Sequence, residues 1–213
     1  MKMLSLVVGV LGVNCYIPYC SETRHCAVID PGGNASQILD LIQKNRLDPQ
    51  YILLTHGHFD HIGGVTELKE KTGAQVAIHR DDAMMLTDPE QNLAAYFGRK
   101  VIQTEPDILL EDGKELQTGN KIITVIHTPG HSRGGVCYLG EDILFTGDTL
   151  FAGSIGRTDI PNSDHLTLIQ SINKLILLDD KIPIYPGHGR SSTLGQERRN
   201  NPFLRSREDT ELV

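Results

Sequence analysis

The stretch LLTHGHFDHIGG, residues 53–64, places His56, His58, Asp60 and His61 within six positions. Three imidazoles and a carboxylate so close together compete for protons and for solvation. A divalent cation removes the conflict, because it takes imidazole nitrogen and carboxylate oxygen at about 2.0–2.2 Å. One loop does not easily close such a site, so further donors belong at other strand ends. His131 stands in HTPGHSRGG after the apolar run KIITVI, Asp148 in FTGDT after DILF, and His188 in YPGHGR after PIY. Each follows the same pattern of apolar strand, glycine, donor. With the loop they make seven candidate ligands, five His and two Asp, enough for two metal ions.

Two divalent ions about 3.5–4 Å apart can share a hydroxide and polarise a substrate oxygen. Metal binding brings the pKa of water to about 7. The metal-bound hydroxide is then the nucleophile, and no serine or cysteine is needed; no G-x-S-x-G elbow is found. Asp60 and Asp148 are read as ligands that position the hydroxide rather than as a free general base. No dedicated acid stands beyond the ligands, which favours a leaving group that departs unprotonated. A thiolate, with a pKa of about 8.5, is such a group. Imidazole-rich N/O ligation suits zinc first, with iron or manganese as alternatives.

The elements that must hold these residues are short. LSLVVGV, NCYIPYC and CAVIDPGG read as a meander of strands, the last ending in a strong turn, Asp30-Pro31-Gly32-Gly33. ASQILDLIQKNR reads as a helix and YILLT as a buried strand. In extended backbone His56, His58 and Asp60 would point the same way, with Gly57 leaving room for close approach. His61 to Lys71 reads as a helix ending near Gly73, followed by a strand, QVAIH. Arg80 to Gly98 is helical in parts and reads as a plain connection rather than a cover over a cleft. ILLEDG, KELQTG, KIITVIHTPG, GGVCYLG and DILFTGD read as antiparallel strands of the second half. Ser163 to Leu178 is the strongest helix, with Ser163 as its cap. KIPIYPGHG is a last strand, and Thr193 to Phe203 a short helix. No Pro/Ser/Gly linker divides the chain, so one domain over 1–213 is expected, with two sheets facing each other and helices outside.

Composition narrows the partners. A net charge of −7 argues against nucleic acid, since phosphate contacts need an excess of Lys and Arg. No segment is long enough to span a membrane. MKMLSLVVGVLGVNC is broken by Gly9 and Gly12 and reads as a strand and turn rather than a leader, so the cytoplasm is expected. Cys15, Cys20, Cys26 and Cys137 form no C-x-x-C pair and read as free thiols. His25, His79, His127 and His165 fall outside the donor set and read as surface or strand-end histidines. Oligomeric state is not legible.

H-x-H-x-D-H, followed in order by separate His, Asp and His at strand ends, resembles the metallo-β-lactamase fold superfamily over nearly the whole chain. The resemblance implies an αββα sandwich of two mixed β-sheets, helices on both outer faces, and a metal site at one edge. GDTLFAGSIGRTD, PGHG and ERRNNPF resemble more particularly the short glyoxalase II-like (hydroxyacylglutathione hydrolase-like) proteins of bacteria and archaea. By that resemblance His56, His58 and His131 bind one metal, Asp60, His61 and His188 bind the second, and Asp148 bridges them. The implied reaction is hydrolysis of a small-molecule acyl thioester such as S-lactoylglutathione. In glyoxalase II a basic and an aromatic residue, two apart, follow the bridging aspartate and contact glutathione. Here Arg157 stands for the basic residue and Asp159 replaces the aromatic. The chain ends at Val213, short of those enzymes' C-terminal helical segment. Arg190, Arg198, Arg199, Arg205 and Arg207 make the tail basic, with Glu197, Glu208 and Asp209 nearby; they read either as solvated surface charge or as a surface for an acidic thiol carrier.

Rival readings share the donors. A persulfide dioxygenase resembles this chain in fold and in GRTD but uses a single iron. An RNA-processing metallo-nuclease would need a basic groove or a large insertion. A flavo-diiron module usually has a carboxylate where His58 stands. A metal-stabilised interaction protein without catalysis need not retain all seven donors.

Overall fold

The structure is a computed structural model that describes residues 1–99 and 104–204. Six strands form the first sheet: β1 (Lys2–Val8), β2 (Val13–Tyr19), β3 (His25–Ile29), β4 (Asp48–Leu53), β5 (Gln75–His79) and β6 (Ile108–Leu110), neighbours in that order. The first three are antiparallel, and β3 to β6 run parallel. Parallel neighbours need crossovers, and helices α1 (Ala35–Lys44), α2 (Phe59–Ile62) and α3 (Val65–Thr72) supply them. The second half gives β7 (Glu115–Thr118), β8 (Lys121–His127), β9 (Val136–Leu139), β10 (Leu144–Gly147), the ribbon β11 (Leu150–Phe151) and β12 (Ser154–Ile155), α4 (His165–Leu175), β13 (Pro183–Pro186), β14 (Ser192–Thr193) and α5 (Leu194–Asn200). The second sheet runs β14-β13-β10-β9-β8-β7, with only β10 and β13 parallel.

Strand periodicity sorts the apolar side chains into layers. Ile29, Leu53 and Ala77 face inward and meet Leu116, Val125, Tyr138 and Phe145 of the second sheet. Their neighbours Val28, Ile52 and Val76 face outward onto Ile38 and Ile42 of α1 and Leu68 of α3. On the opposite outer face Leu144 and Ile184 pack against Leu168, Ile172 and Leu175 of α4 and Leu194 of α5. The result is the expected αββα sandwich of two mixed sheets. Because β3 and β4 are parallel, and β10 and β13 likewise, Asp30, His56, Asp148 and His188 all follow strands at the carboxyl ends of parallel pairs.

Several expectations are corrected. The helix read over His61 to Lys71 is split at Gly63-Gly64, where the chain presses on the 31–33 turn: Gly64 N donates to the Pro31 carbonyl at 2.7 Å, and a Cβ on Gly63 would meet the Gly32 carbonyl at 2.5 Å. Ile108–Leu110 joins the first sheet, parallel to β5, rather than the second half. The strongest helix starts at His165 and ends at Leu175. Its cap is Asp164, which accepts from Thr167 N, while Ser163 Oγ donates to the Ile160 carbonyl. Arg80–Leu86 and Ala94–Phe97 are 3₁₀ turns, and the second of them brings Phe97 over the donor cleft rather than merely connecting.

Candidate metal centre

The loop after β4 lifts His56 and His58 over the sheet edge, and α2 presents Asp60 and His61. Asp60 thus comes from a helical turn, not from extended backbone as expected. The structure brings all seven sequence-selected donors together. Their ligand atoms lie within 4.8 Å of one another in three overlapping groups: His56–His58–His131, His56–His61–Asp148 and Asp60–His61–His188. In the first, ring centroids are 4.7 Å (His56–His58), 4.8 Å (His58–His131) and 4.9 Å (His56–His131) apart. Asp148 lies between the groups, with Oδ1 3.4 Å from His61 Nε2, and Oδ2 3.7 Å from both His131 Nε2 and His188 Nε2. His188 Nε2 is also 3.3 Å from Asp60 Oδ2. Glycine at 187 is what permits this approach, since a Cβ there would lie 2.3 Å from Asp148 Oδ1.

Surrounding groups aim the rings. Thr55 Oγ1 donates to Asp30 Oδ2 at 2.6 Å, so at 3.1 Å it is left to accept from His56 Nδ1. That places the proton on Nδ1 and the free lone pair on Nε2, which points into the centre with no partner. Asp30 Oδ2 also lies 3.0 Å from His61 Nδ1, at an angle off that of a full hydrogen bond. One buried carboxylate therefore orients a histidine of two different groups. His131 Nδ1 donates to the Arg157 carbonyl at 2.9 Å, leaving its Nε2 for the centre. Such partners of ligating histidines fix the tautomer and raise basicity.

A second carboxylate joins the loops. Asp82, buried on the Arg80–Leu86 turn, accepts from Ser132 Oγ and Gly134 N at 2.6 Å each and from Gly57 N at 3.3 Å. It ties the His56–His58 loop to the His131 loop. Burial pushes its carboxyl up despite these donors. Sequence reading singled out neither Asp30 as an orienter nor Asp82; the signal for Asp30 was its place at the end of CAVI, where the other donors also sit.

Electrostatics separate the groups. Burial, then the neighbouring His131, pushes His58 down to about 3, and burial with its imidazole neighbours holds His56 low as well. Burial opposes charge on His61 too, but Asp148, Asp30 and Asp60 outweigh it and raise its pKa. Burial would raise Asp148, yet the charge of His61 and the histidines beside it keep it ionised, well below the usual carboxylate range. His56 Nε2, His61 Nε2 and Asp148 Oδ1 are buried without hydrogen-bond partners among the described residues. Unpaired lone pairs converging from N and O donors fit divalent metal ions and little else.

The centre forms the floor of a cleft of about 350 Å³ walled by Leu11, Leu93, Phe97, Phe151, Ile155 and Ile160. Arg157 stands at this cleft, its guanidinium in a two-bond pair with Asp159 at 2.8 Å. A larger cavity of about 740 Å³ shares Phe59, Asp60 and Phe97 with it but meets the donors only at Asp60. His127 stacks on His79 and belongs to none of the groups formed by the seven donors among the described residues. The cysteines are free and buried, as expected. Among the described residues no helix is long and apolar enough to cross a membrane. Arg205 and Arg207 of the basic tail lie outside the described residues.

Comparison with known proteins agrees with this geometry. The family model described as the Metallo-beta-lactamase superfamily matches residues 8–188. The hydroxyacylglutathione hydrolase GloC of Haemophilus influenzae is 38% identical over 206 residues, covering 91% of this chain and 93% of that protein. Among solved structures, the BLEG-1 B3 metallo-beta-lactamase superposes with a TM-score of 0.92 at 38% identity, covering 96% of this chain and all (100%) of that one. TTHA1623 in a di-iron-bound form gives 0.84 at 36% identity, covering 94% and 100%. ETHE1 from Myxococcus xanthus gives 0.83 at 27% identity, covering 98% and 88%.

Proposed function

The chain belongs to the metallo-beta-lactamase superfamily, and from that premise we propose that it is a dinuclear metal-dependent hydrolase of an acyl thioester, such as S-lactoylglutathione or a related hydroxyacyl-thiol. The observation that carries the dinuclear reading is the Asp148 carboxylate, one oxygen toward His61 and the other toward His131 and His188. In this reading His56, His58 and His131 would hold one ion and Asp60, His61 and His188 the other, with Asp148 shared between them. When bound, the ions, zinc in the first instance, would supply Lewis-acid activation of water and of the acyl oxygen.

The chain's own groups do the rest. Asp30, Thr55 and the Arg157 carbonyl keep histidine lone pairs aimed at the centre. Phe97, Phe151, Ile155 and Ile160 give the cleft an apolar wall against which an acyl or thiol chain can lie. With His61 and His188 committed as ligands in this reading, no side chain of the donor set is left to protonate a leaving group, and a thiolate needs none. Arg157 orients an acidic group on the thiol by exchanging its pair with Asp159 for the substrate. The relative GloC, named for a hydroxyacylglutathione, supports this choice of substrate class. No nucleic-acid or membrane partner is proposed.

The test is elemental analysis of protein expressed with added zinc, iron or manganese, paired with thiol release from S-lactoylglutathione. About two ions per chain that are lost when the seven donors are replaced, together with metal-dependent release, support the proposal. A ceiling of one such ion under excess metal would favour the single-iron persulfide dioxygenase reading. Arg157→Ala should raise KM for a charged thioester far more than for a small neutral one, because it removes binding common to ground and transition states. Equal effects on both would make Arg157 structural only.

A further inference from the structure

His79 ends β5 of the first sheet, and His127 ends β8 of the second. Their rings stack at 4.0 Å and 10° across the seam between the sheets. Asp81, two residues after His79, completes a group whose ligand atoms lie within 4.8 Å of one another and which shares no residue with the seven donors. We propose that His79, Asp81 and His127 form a separate site for one divalent transition-metal ion, which clasps the two sheets beside the catalytic centre.

The hydrogen bonds assign the lone pairs. His127 Nε2 lies 3.0 Å from the Arg133 carbonyl, which only accepts, so Nε2 carries the proton and Nδ1 is free. This is the tautomer setting seen in ligating histidines. His79 Nδ1 accepts from Asp81 N over a long 3.3 Å, so its lone pair is also on Nδ1, and Asp81 Oδ2 lies 3.7 Å from it. Burial and the facing His127 lower the His79 pKa, which keeps that ring neutral. The lone pairs of the two stacked rings do not converge without the ion. To bind it, the partly buried His127 ring would have to swing out of the stack, loosening its 3.0 Å bond to the Arg133 carbonyl, and metal on His79 Nδ1 would replace the long bond from Asp81 N. Two nitrogens, one carboxylate oxygen and a water make a four-coordinate set suited to zinc, copper or nickel.

The location gives the site a consequence. Asp81 precedes Asp82, whose carboxylate holds Ser132 and Gly134, and the His127 ring holds the Arg133 carbonyl of that same loop. An ion here would therefore act next to both supports of the segment that carries His131.

Zinc titration of the full chain, followed by calorimetry and melting, tests the site. His127→Phe keeps a stacked ring and removes both nitrogens. His127→Gln keeps a donor for the Arg133 carbonyl and serves if the first variant does not fold. Wild type should bind one more zinc equivalent than either variant. With zinc at about 100 times that equivalent's Kd, its Tm should rise about 5–10 °C further than theirs. Asp81→Asn should weaken the extra equivalent without abolishing it. Equal equivalents and equal melting in wild type and the folded His127 variant, at every zinc concentration, would overturn the proposal. His127→Gln keeps the Arg133 carbonyl bonded, so its difference from wild type reports this site rather than the number of ions the seven donors hold, and does not stand or fall with the thioester reading.

Discussion

Replacing Asp82 separates support of the metal centre from ligation itself, because its side chain is none of the seven donors. In Asp82→Ala the two 2.6 Å bonds from Ser132 Oγ and Gly134 N are lost, and the 3.3 Å bond from Gly57 N with them. A hydrogen bond to a charged group contributes about 1.5–3 kcal/mol net, so the two short ones bracket about 3–6 kcal/mol. The carboxylate is 1% exposed, and its burial penalty offsets part of that, which places the expected loss near the lower end, about 3 kcal/mol. For a chain of this length that corresponds to a fall in Tm of about 6–12 °C. With the 57 and 132–134 backbones released, His58 and His131 lose the geometry that now sets their nitrogens 3.0 Å apart. Zinc affinity should then drop about 10–100-fold, as for other residues that support ligands. Asp82→Asn keeps one acceptor but turns an amide toward donors, and should fall between wild type and alanine on both scales. The assay is thermal melting of metal-free protein together with competitive zinc titration. An Asp82→Ala protein that melts within about 1 °C of wild type, the range of an ordinary surface change, and binds zinc equally tightly would refute the loop-tying role.

Thr55→Val removes the hydroxyl between Asp30 and His56 at nearly constant shape, and should weaken zinc binding about tenfold; unchanged affinity would mean that His56 needs no orienter. Asp148→Ala should lose metal and activity together, whereas His165→Ala, on the first turn of α4 and with its ring bonded to Thr158, should keep both; the comparison is metal content and rate at matched loading. Acid should empty the two groups in order. His58, held down to about 3, stays neutral and ready for metal, while the raised pKa of His61 means that protons compete with metal at a higher pH. Dialysis from about pH 8 to about pH 5 should therefore release the ion of the Asp60–His61–His188 group first, followed by metal-sensitive spectroscopy of cobalt-loaded protein; simultaneous loss would contradict the assignment.

The donors were readable because metal chemistry needs particular residue types, and those types sit where apolar strands end in glycine turns. His131, Asp148 and His188 are distant in sequence, yet each carries that local mark. Of the carboxylates that aim them, Asp82 carries no such mark, and Asp30 shares the strand-end position but nothing that tells an orienting role from a turn. Asp30 in DPGG and Asp82 in HRDD look like any turn or helix-start aspartate, since short polar side chains favour such places for local reasons. Their roles come from Thr55, Ser132 and Gly134, contacts that only the folded chain creates. The same limit explains β6. The run ILL reads as a strand, but nothing local says that it joins the first sheet rather than the second. The break at Gly63-Gly64 was visible as a glycine pair, but its cause is close packing on the turn at residues 31–33.

Thiol release from S-lactoylglutathione, followed under nitrogen and again in air with the metal-loaded protein, tests the central claim most directly. Hydrolysis predicts equal release in both atmospheres, lost on chelation and restored by adding metal back. Oxygen consumption with glutathione persulfide, and no thiol release from any acyl thioester, would contradict it.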